Sequence, residues 1–251
     1  MPIPIDISEE GGVRYLHFGS EWVQGAMRLR KPDALELEYT REMLAGLLLR
    51  PPAWPARVLL IGLGAGSLVR FIHRHLPEAQ TTVVEIAAEV HAVASQYFRL
   101  PDEDERLEIV IDDGARFVHT DPRQWDLIVV DGFDRHARAG ELATQAFYEA
   151  CRARLTPQGL LSVNLFGQLR GFKTQLQRLR KAFDGQVVDL PECESGNVVA
   201  LAAASPAPAP VPVEQLEARA REFKTATGLD LLPTLRRLKK AGRLPDGALH
   251  L

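Results

Sequence analysis

Glycines and an acid follow successive apolar segments of this chain, and together they could hold a nucleoside. Three glycines at alternate positions, Gly62, Gly64 and Gly66, come directly after the apolar run 58–61. The next apolar run ends in Glu85, whose carboxylate could accept hydrogen bonds from both ribose hydroxyls. The glycines would let the backbone come close to the ligand. The order strand, glycine turn, helix, strand and acid therefore predicts a nucleoside pocket.

The spacing of the glycines narrows the class of nucleoside. A dinucleotide fingerprint has the pattern G-x-G-x-x-G/A, which would place its third small residue at position 67. Here the third glycine is Gly66, and position 67 is Ser67. This pattern fits a ligand of the S-adenosylmethionine type better than NAD. The competing interpretation is a tight strand-to-helix turn without a ligand, and the acid Glu85 at the expected place makes that less favourable.

Acids also follow the next two apolar segments. Asp113 and Gly114 come after the third segment, and Asp131 and Asp134 come after the fourth. Each acid singly could be the N-cap of a helix. Because ligands of open α/β sheets bind beyond the carboxyl ends of the strands, we expect these acids to meet at one edge.

The pair Asp131 and Asp134 could activate an amine. Two carboxylates beside a sulfonium ion make an anionic pocket, which attracts a cationic amine and can accept its proton. A primary ammonium has a pKa near ~10 and is no nucleophile until it loses that proton. The acid pair is therefore suited to N-alkylation.

The elements that must position these residues alternate along the chain. We predict strands at 58–62, 81–85, 107–111, 126–131, 159–165, 185–190 and 197–203, and helices at 66–76, 87–98, 113–119, 141–155 and 168–183. Strands that alternate with helices indicate a mostly parallel sheet that is covered on both faces. The last two strands are close enough to form a hairpin, which gives an antiparallel edge.

The fold class predicted is therefore α/β, with a Rossmann-like class I methyltransferase fold and a seven-stranded, mostly parallel sheet. Residues 1–50 should form a β-hairpin, turned at Gly19-Ser20, and a helix over 35–49. The nucleoside-binding catalytic domain should span 51–204. A Pro/Ala linker follows at 205–212, and a helical extension of two short amphipathic helices fills 213–251.

Composition excludes several other classes of protein. The 251 residues are 46% apolar, which supports a full core, and the net charge of −3 gives no reason to expect nucleic acid. The basic run 236–240 is interpreted as a solvated helix face rather than a phosphate-binding patch. Two cysteines allow neither a disulfide framework nor zinc spacing, so no metal is expected. Without a signal sequence or an apolar run of ~20 residues, we expect a soluble cytoplasmic protein without membrane contact.

These motifs resemble the spermidine/spermine synthase family, the polyamine aminopropyltransferases. The resemblance rests on the glycine loop, on Glu85, on Asp113-Gly114 and above all on Asp131-x-x-Asp134. Upstream, Trp22-Val23-Gln24-Gly25 and the segment 39–43 look like the family's N-terminal hairpin glutamine and its Tyr-x-Glu-Met helix, with one extra residue in the latter. The resemblance covers roughly residues 13–203.

The resemblance implies a role for each residue of the site. Glu85 would hold the ribose hydroxyls and Asp113 the adenine amino group, and Gln24 would contact the nucleoside. Asp131 would orient and deprotonate the attacking amine. Asp134 would help to hold the amine, and Tyr39 would line its channel. No cofactor would be bound permanently, because decarboxylated S-adenosylmethionine is a co-substrate, and a homodimer is expected by the same resemblance.

The chain also departs from the family at three positions. Ala65 replaces the aspartate of the glycine loop, which in the family helps to hold the aminopropyl ammonium of the donor. Cys193 replaces a tyrosine before the late Ser-Gly turn, and Arg135 replaces a proline. Glu192 and Glu194 are candidates for a substitute charge.

Three functions therefore stay open at this point. The first is aminopropyl transfer to a polyamine. The second is methyl transfer from ordinary S-adenosylmethionine to a small amine, which Ala65 favours. The third is binding of a nucleoside or polyamine without catalysis.

Overall fold

A computed structural model describes residues 4–20, 22–133, 138–206 and 209–251. The strands of its central sheet are β4 (Arg57–Ile61), β5 (Gln80–Glu85), β6 (Leu107–Ile111), β7 (Trp125–Val130), β8 (Leu155–Phe166), β9 (Val187–Asp189) and β10 (Asn197–Ala203). Three N-terminal strands, β1 (Asp6–Glu10), β2 (Val13–His17) and β3 (Val23–Arg28), form a separate antiparallel sheet.

The order of the strands places a crevice in the middle of the large sheet. That order is β6-β5-β4-β7-β8-β10-β9, in which β4 to β8 pair in parallel and β10 pairs antiparallel with both neighbours. The chain runs outward from β4 through β5 to β6, and then returns to the other side of β4 as β7. This reversal leaves an opening beyond the carboxyl ends of β4 and β7, where such sheets bind ligands. The predicted α/β fold with a seven-stranded, mostly parallel sheet is confirmed.

Alternate residues of the buried strands supply two separate cores. In β4, Val58 and Leu60 face one core, whereas Leu59 and Ile61 face the other. All four are at most 2% exposed. Because successive side chains of a strand point to opposite faces, a continuous apolar run fits a strand that is covered on both sides.

Helices cover both faces of the sheet. Their bounds are α1 (Glu38–Glu42), α2 (Ser67–His75), α3 (Ala88–Tyr97), α4 (Gly114–Thr120), α5 (Gln145–Ala153), α6 (Phe172–Ala182), α7 (Val213–Thr227) and α8 (Leu232–Lys240). Short 3₁₀ helices lie at Ala45–Leu49, Gly140–Ala143 and Pro245–Gly247. The described part of the chain has no helix that is long and apolar enough to cross a membrane.

Three details of the sequence-based prediction are wrong. The helix predicted at 35–49 is broken into α1 and the 3₁₀ helix Ala45–Leu49, and nearly every residue from 39 to 49 is buried. The helix predicted at 141–155 begins later, since Thr144 caps α5 by accepting a hydrogen bond from the Phe147 N–H. The N-terminal hairpin gains a third strand, β1, whose five residues are all exposed and show no apolar alternation.

Two strands of the C-terminal region also escaped prediction. Val211–Pro212 (β11) pairs antiparallel with Ala248–Leu249 (β12), so the extension is tied at both of its ends. Its helices bury Leu216, Leu235 and Leu238 in the same core as Val58 and Leu60 of β4.

Candidate active site

A cavity of about 1570 Å³ opens at the carboxyl edge of the sheet, at the crevice between β4 and β7. Most of the residues predicted to form the site line it, namely Gln24, Tyr39, Gly62, Gly64, Glu85, Asp113, Gly114 and Asp131. The acids predicted from three different strand ends therefore face one space.

One of the predicted residues, Gly66, is not part of this wall. Gly66 lies behind the glycine loop, where its left-handed backbone (φ 69°) precedes the first turn of α2 and its Cα faces Leu100 and Arg70. Gly66 therefore allows the turn into α2 and is not placed to contact a ligand. Asp134 and Arg135 lie outside the described residues.

Gly62 allows the ends of β4 and β7 to meet. Its backbone has φ 96°, and a Cβ at this position would lie 2.3 Å from the carbonyl oxygen of Asp131. In return, the Asp131 N–H donates to the carbonyl of Ile61 at 2.8 Å. Only glycine tolerates both this conformation and this approach, so the residue fixes how close Asp131 lies to the loop.

The small residue Ala65 packs against β3. A Cβ at Gly25 would lie 2.5 Å from the Ala65 Cβ, which shows how closely the strand covers the loop. The Ser67 hydroxyl donates to the carbonyl of Ala26 at 2.8 Å and fastens the same contact. The N-terminal sheet therefore brings Gln24 to the cavity beside the glycine loop.

Glu85 joins the glycine loop to the end of β5. Its carboxylate accepts a hydrogen bond from the Leu63 N–H at 2.9 Å and another from the Ala87 N–H at 2.9 Å. Burial raises the pKa of this carboxyl, and the backbone hydrogen bonds oppose that rise. A carboxylate has about four acceptor positions, so Glu85 can still accept a hydrogen bond from a ligand, and it lines the cavity. A vicinal diol is the kind of ligand that such a carboxylate can hold.

Asp113 serves as a helix cap and as part of the cavity wall. Its side chain accepts a hydrogen bond from the Arg116 N–H at 3.0 Å and so caps α4. The adjacent Asp112 pairs instead with the guanidinium of Arg116. The capping interpretation and the binding interpretation are therefore compatible for Asp113.

Asp131 is held by two side chains at the floor of the cavity. Asn164 Nδ2 donates to Asp131 Oδ1 at 2.8 Å, and the Tyr39 hydroxyl also hydrogen-bonds to the carboxylate. Burial raises the pKa of Asp131, whereas both hydrogen bonds lower it. Burial and the nearby Asp131 charge raise the pKa of the Tyr39 hydroxyl, which keeps it a donor. A partly buried carboxylate that faces the cavity is suited to accept a proton from a ligand.

Two polar residues behind Asn164 were missed from the sequence. Asn197 Nδ2 donates to Asn164 Oδ1 at 2.9 Å, and the Ser195 hydroxyl donates to Asn197 Oδ1 at 2.7 Å. The chain of hydrogen bonds thus runs from a rim residue to Asp131. Asn164 itself ends a predicted strand, which was its one signal in the sequence, whereas Asn197 begins a strand of apolar residues and gave none.

The charged residues of the cavity wall are mostly acidic. Besides the predicted acids, the wall includes Glu36, Glu38, Glu141 and Glu194, together with Arg41 and Arg138. Of the two proposed substitutes for a loop aspartate, Glu194 lines the cavity, whereas the Glu192 carboxylate accepts from Gln168 at 3.1 Å. An acidic lining favours a cationic ligand such as an ammonium or a sulfonium.

A buried acid and a thiol lie next to this wall. Cys193 Sγ donates to Glu42 Oε2 at 3.2 Å, and burial raises the pKa of the thiol to about 12. Ligand atoms of Glu38, Glu42 and Cys193 all lie within 4.8 Å of one another, a spacing that could suit a metal. The guanidinium of Arg237 already lies among them, and it contacts both carboxylates.

Comparisons with known proteins identify the family of this chain. The model of the spermine/spermidine synthase domain matches residues 37–197. A polyamine aminopropyltransferase of Chromobacterium violaceum is 38% identical over 98% of this chain and 93% of its own length. One of Neisseria meningitidis is 37% identical over 98% of this chain and 92% of its own length.

A solved structure supports the fold. A probable spermidine synthase from Corynebacterium glutamicum superposes with a TM-score of 0.72 at 22% identity, over 90% of this chain and 91% of that one. The family and the enzyme class predicted from the sequence are confirmed, and the chain belongs to the spermine/spermidine synthase family.

Proposed function

We propose that this protein transfers an aminopropyl group from decarboxylated S-adenosylmethionine to a primary amine of a small polyamine. The observation that carries the proposal is the meeting of Glu85 and Asp131 in one acidic cavity, in a chain of this family. Glu85 suits the ribose of the donor, and Asp131 suits the attacking amine. The glycine loop between them holds the two ends of the reaction at a fixed separation.

The donor would lie along the glycine loop. Glu85 would accept hydrogen bonds from the ribose hydroxyls, and Asp113 would accept one from the adenine amino group. Gln24 would contact the nucleoside from the covering strand β3. Glu85, Asp113 and Gln24 come from three separate parts of the fold, and all three line the cavity.

The acceptor amine would lie at the Asp131 end, in the channel that Tyr39 lines. Asp131 would take a proton from the ammonium, and Asp134 would help to hold the amine. The nitrogen lone pair then attacks the aminopropyl carbon that is bonded to sulfur. The carbon–sulfur bond breaks, its electron pair stays on sulfur, and 5′-methylthioadenosine leaves. Positioning and proton removal are the two contributions the residues can make.

Methyl transfer from ordinary S-adenosylmethionine is a second candidate, because Ala65 supplies no acid for the ammonium of a decarboxylated donor. If the protein transfers an aminopropyl group, Glu194 on the cavity wall would supply that charge. Ordinary S-adenosylmethionine carries a carboxylate that the decarboxylated donor lacks, and an acidic wall would repel that carboxylate.

Product analysis tests the proposal. The purified protein is incubated with putrescine and either donor, and the products are identified by mass spectrometry. Aminopropylated putrescine together with methylthioadenosine supports the proposal. Methylated putrescine would establish the second candidate, and donor binding by calorimetry without any product would leave a binding protein.

Several expectations stay predictions from the sequence. The protein should form a homodimer and lie in the cytoplasm. It should have no permanently bound cofactor and no nucleic-acid or membrane partner.

A further inference from the structure

The C-terminal extension reaches the wall of the active site through one side chain. The family model ends at residue 197, whereas Arg237 lies on α8, forty residues further on. Arg237 stands in the basic run that the sequence indicated to be a solvated helix face. Its neighbours Arg236, Lys239 and Lys240 are exposed, but Arg237 is half-buried and turned toward the cavity wall.

The guanidinium of Arg237 contacts three oxygen groups, namely two carboxylates and one backbone carbonyl. One nitrogen contacts the Glu38 carboxylate and lies 3.1 Å from Glu42 Oε1. Another nitrogen donates to the carbonyl oxygen of Pro191. Glu42 is fully buried, so its charge has no access to water and depends on such a partner.

These acceptors belong to two different walls of the cavity. Glu38 and Glu42 lie on α1, which also carries Tyr39 to Asp131. Pro191 begins the turn that carries Glu194 and Ser195 to the rim.

Direct bonds link the two walls beside Arg237. The Glu194 N–H donates to Glu38 Oε2 at 3.3 Å, and Cys193 Sγ donates to Glu42 Oε2. Without the guanidinium, the Glu38 and Glu42 carboxylates of α1 would lose their counter-charge, and Glu42 would be left buried without one. The link from these carboxylates to the Pro191 carbonyl would be lost as well, so α1 and the turn would be held together less firmly.

We propose that Arg237 is a positioning residue for the acceptor end of the active site, which holds α1 and the turn 191–196 together through Glu38, Glu42 and the Pro191 carbonyl. This inference rests on the proposed function for the identity of the acceptor. It gives the C-terminal extension a role in amine binding. The donor end depends on Glu85 and the glycine loop, which Arg237 does not touch.

Three substitutions on one helix test the proposal. Arg237→Met removes the charge, Arg237→Lys keeps the charge but not the planar fork, and Arg236→Met removes an exposed neighbouring charge. For Arg237→Met we expect the KM for putrescine to rise by about tenfold to a hundredfold, as for other small misplacements. The Kd for methylthioadenosine should stay within about twofold of wild type, since its site is separate. The KM of Arg237→Lys should lie between those of wild type and Arg237→Met, because one ammonium cannot contact the three oxygen groups in the same geometry. The KM of Arg236→Met should match that of wild type.

A purely structural role is distinguished by two further variants. Leu235→Ala removes buried packing from the same helix, and it should lower the melting temperature without changing the KM for putrescine. Glu42→Gln combined with Arg237→Met removes the unpaired buried charge, and the KM should return part of the way to wild type. A KM in Arg237→Met equal to wild type, or an equal loss of donor and acceptor binding, would overturn the proposal.

Two results would complicate these experiments, and each has a defined interpretation. If Arg237→Met does not fold, Arg237→Lys decides, and an unchanged KM in that variant overturns the proposal. If the wild-type protein has no aminopropyl transfer, the proposed function fails by itself. Calorimetry with putrescine in the presence of methylthioadenosine then tests Arg237, because its loss must still weaken amine binding.

Discussion

Asn164 donates a hydrogen bond of 2.8 Å to Oδ1 of Asp131, from the end of the strand that neighbours β7. The Asn164 amide donates a hydrogen bond to the carboxylate, and such a bond favours the ionised form. It therefore lowers the pKa of Asp131, whereas burial raises it. Since Asn197 and Ser195 orient this amide from behind, its direction is fixed. A side chain that does not need to touch the substrate therefore favours the ionised form of the proposed base.

Asn164→Ala should shift the pH profile of kcat/KM. The active form of Asp131 is ionised, and activity falls as pH falls through its pKa. Loss of the hydrogen bond raises that pKa, so the acid limb should move to higher pH. Ser162→Ala is a matched control, since Ser162 is fully buried two residues earlier in β8 and its hydroxyl has no hydrogen-bond partner among the described residues. An acid limb that stays in place or moves down would contradict the role given to Asn164.

Gly62→Ala should destabilise the fold by about 3 kcal/mol or more, because a Cβ would meet the Asp131 carbonyl in a left-handed backbone. Gly185→Ala is the control. Gly185 also has a positive φ, of 82°, but nothing lies within 4 Å of its Cβ position. Its cost should be about 1 kcal/mol, from the backbone conformation alone. Urea denaturation compares the two, and equal destabilisation would show that the approach of Gly62 to Asp131 is not tight.

Glu85→Gln should weaken nucleoside binding more than it weakens the fold. One oxygen becomes an amide that cannot accept from the Leu63 or Ala87 N–H, and the ribose loses an ionised acceptor. We expect the Kd for methylthioadenosine to rise by about tenfold to a hundredfold.

Glu108→Gln provides the control for this change, since Glu108 lies on the next strand and pairs with Arg123. It should leave the Kd as in wild type. Calorimetry measures the Kd for methylthioadenosine in both variants. An unchanged Kd in Glu85→Gln would show that Glu85 does not bind the donor.

The sequence predicted the centre of this site well and its surroundings poorly. Glu85 and Asp131 could be placed because carboxyl ends of parallel strands converge, so that position along the chain implies position in space. Asn197 could not be paired with Asn164, because that contact depends on the antiparallel register of β10 on β8. Arg237 contacts Glu38 across 199 positions of the chain, and no local pattern distinguishes it from the exposed Arg236.

One element that the sequence misjudged lies at the acceptor wall. A continuous helix is predicted over 35–49, but α1 ends at Glu42 and a 3₁₀ helix follows at Ala45–Leu49, in a segment that is almost wholly buried. Tertiary packing therefore overrode the local pattern where the chain builds the acceptor wall.

The most direct measurement of the central claim separates binding from turnover in Asp131→Asn. We predict that this variant binds methylthioadenosine with a Kd within about twofold of wild type, because the donor contacts are elsewhere. Its rate of aminopropyl transfer to putrescine should fall by about 10²- to 10⁴-fold, the usual contribution of a general base. Asp102→Asn, a change at an exposed loop residue, should leave the rate unchanged. Transfer by Asp131→Asn at a rate near that of wild type would contradict the account.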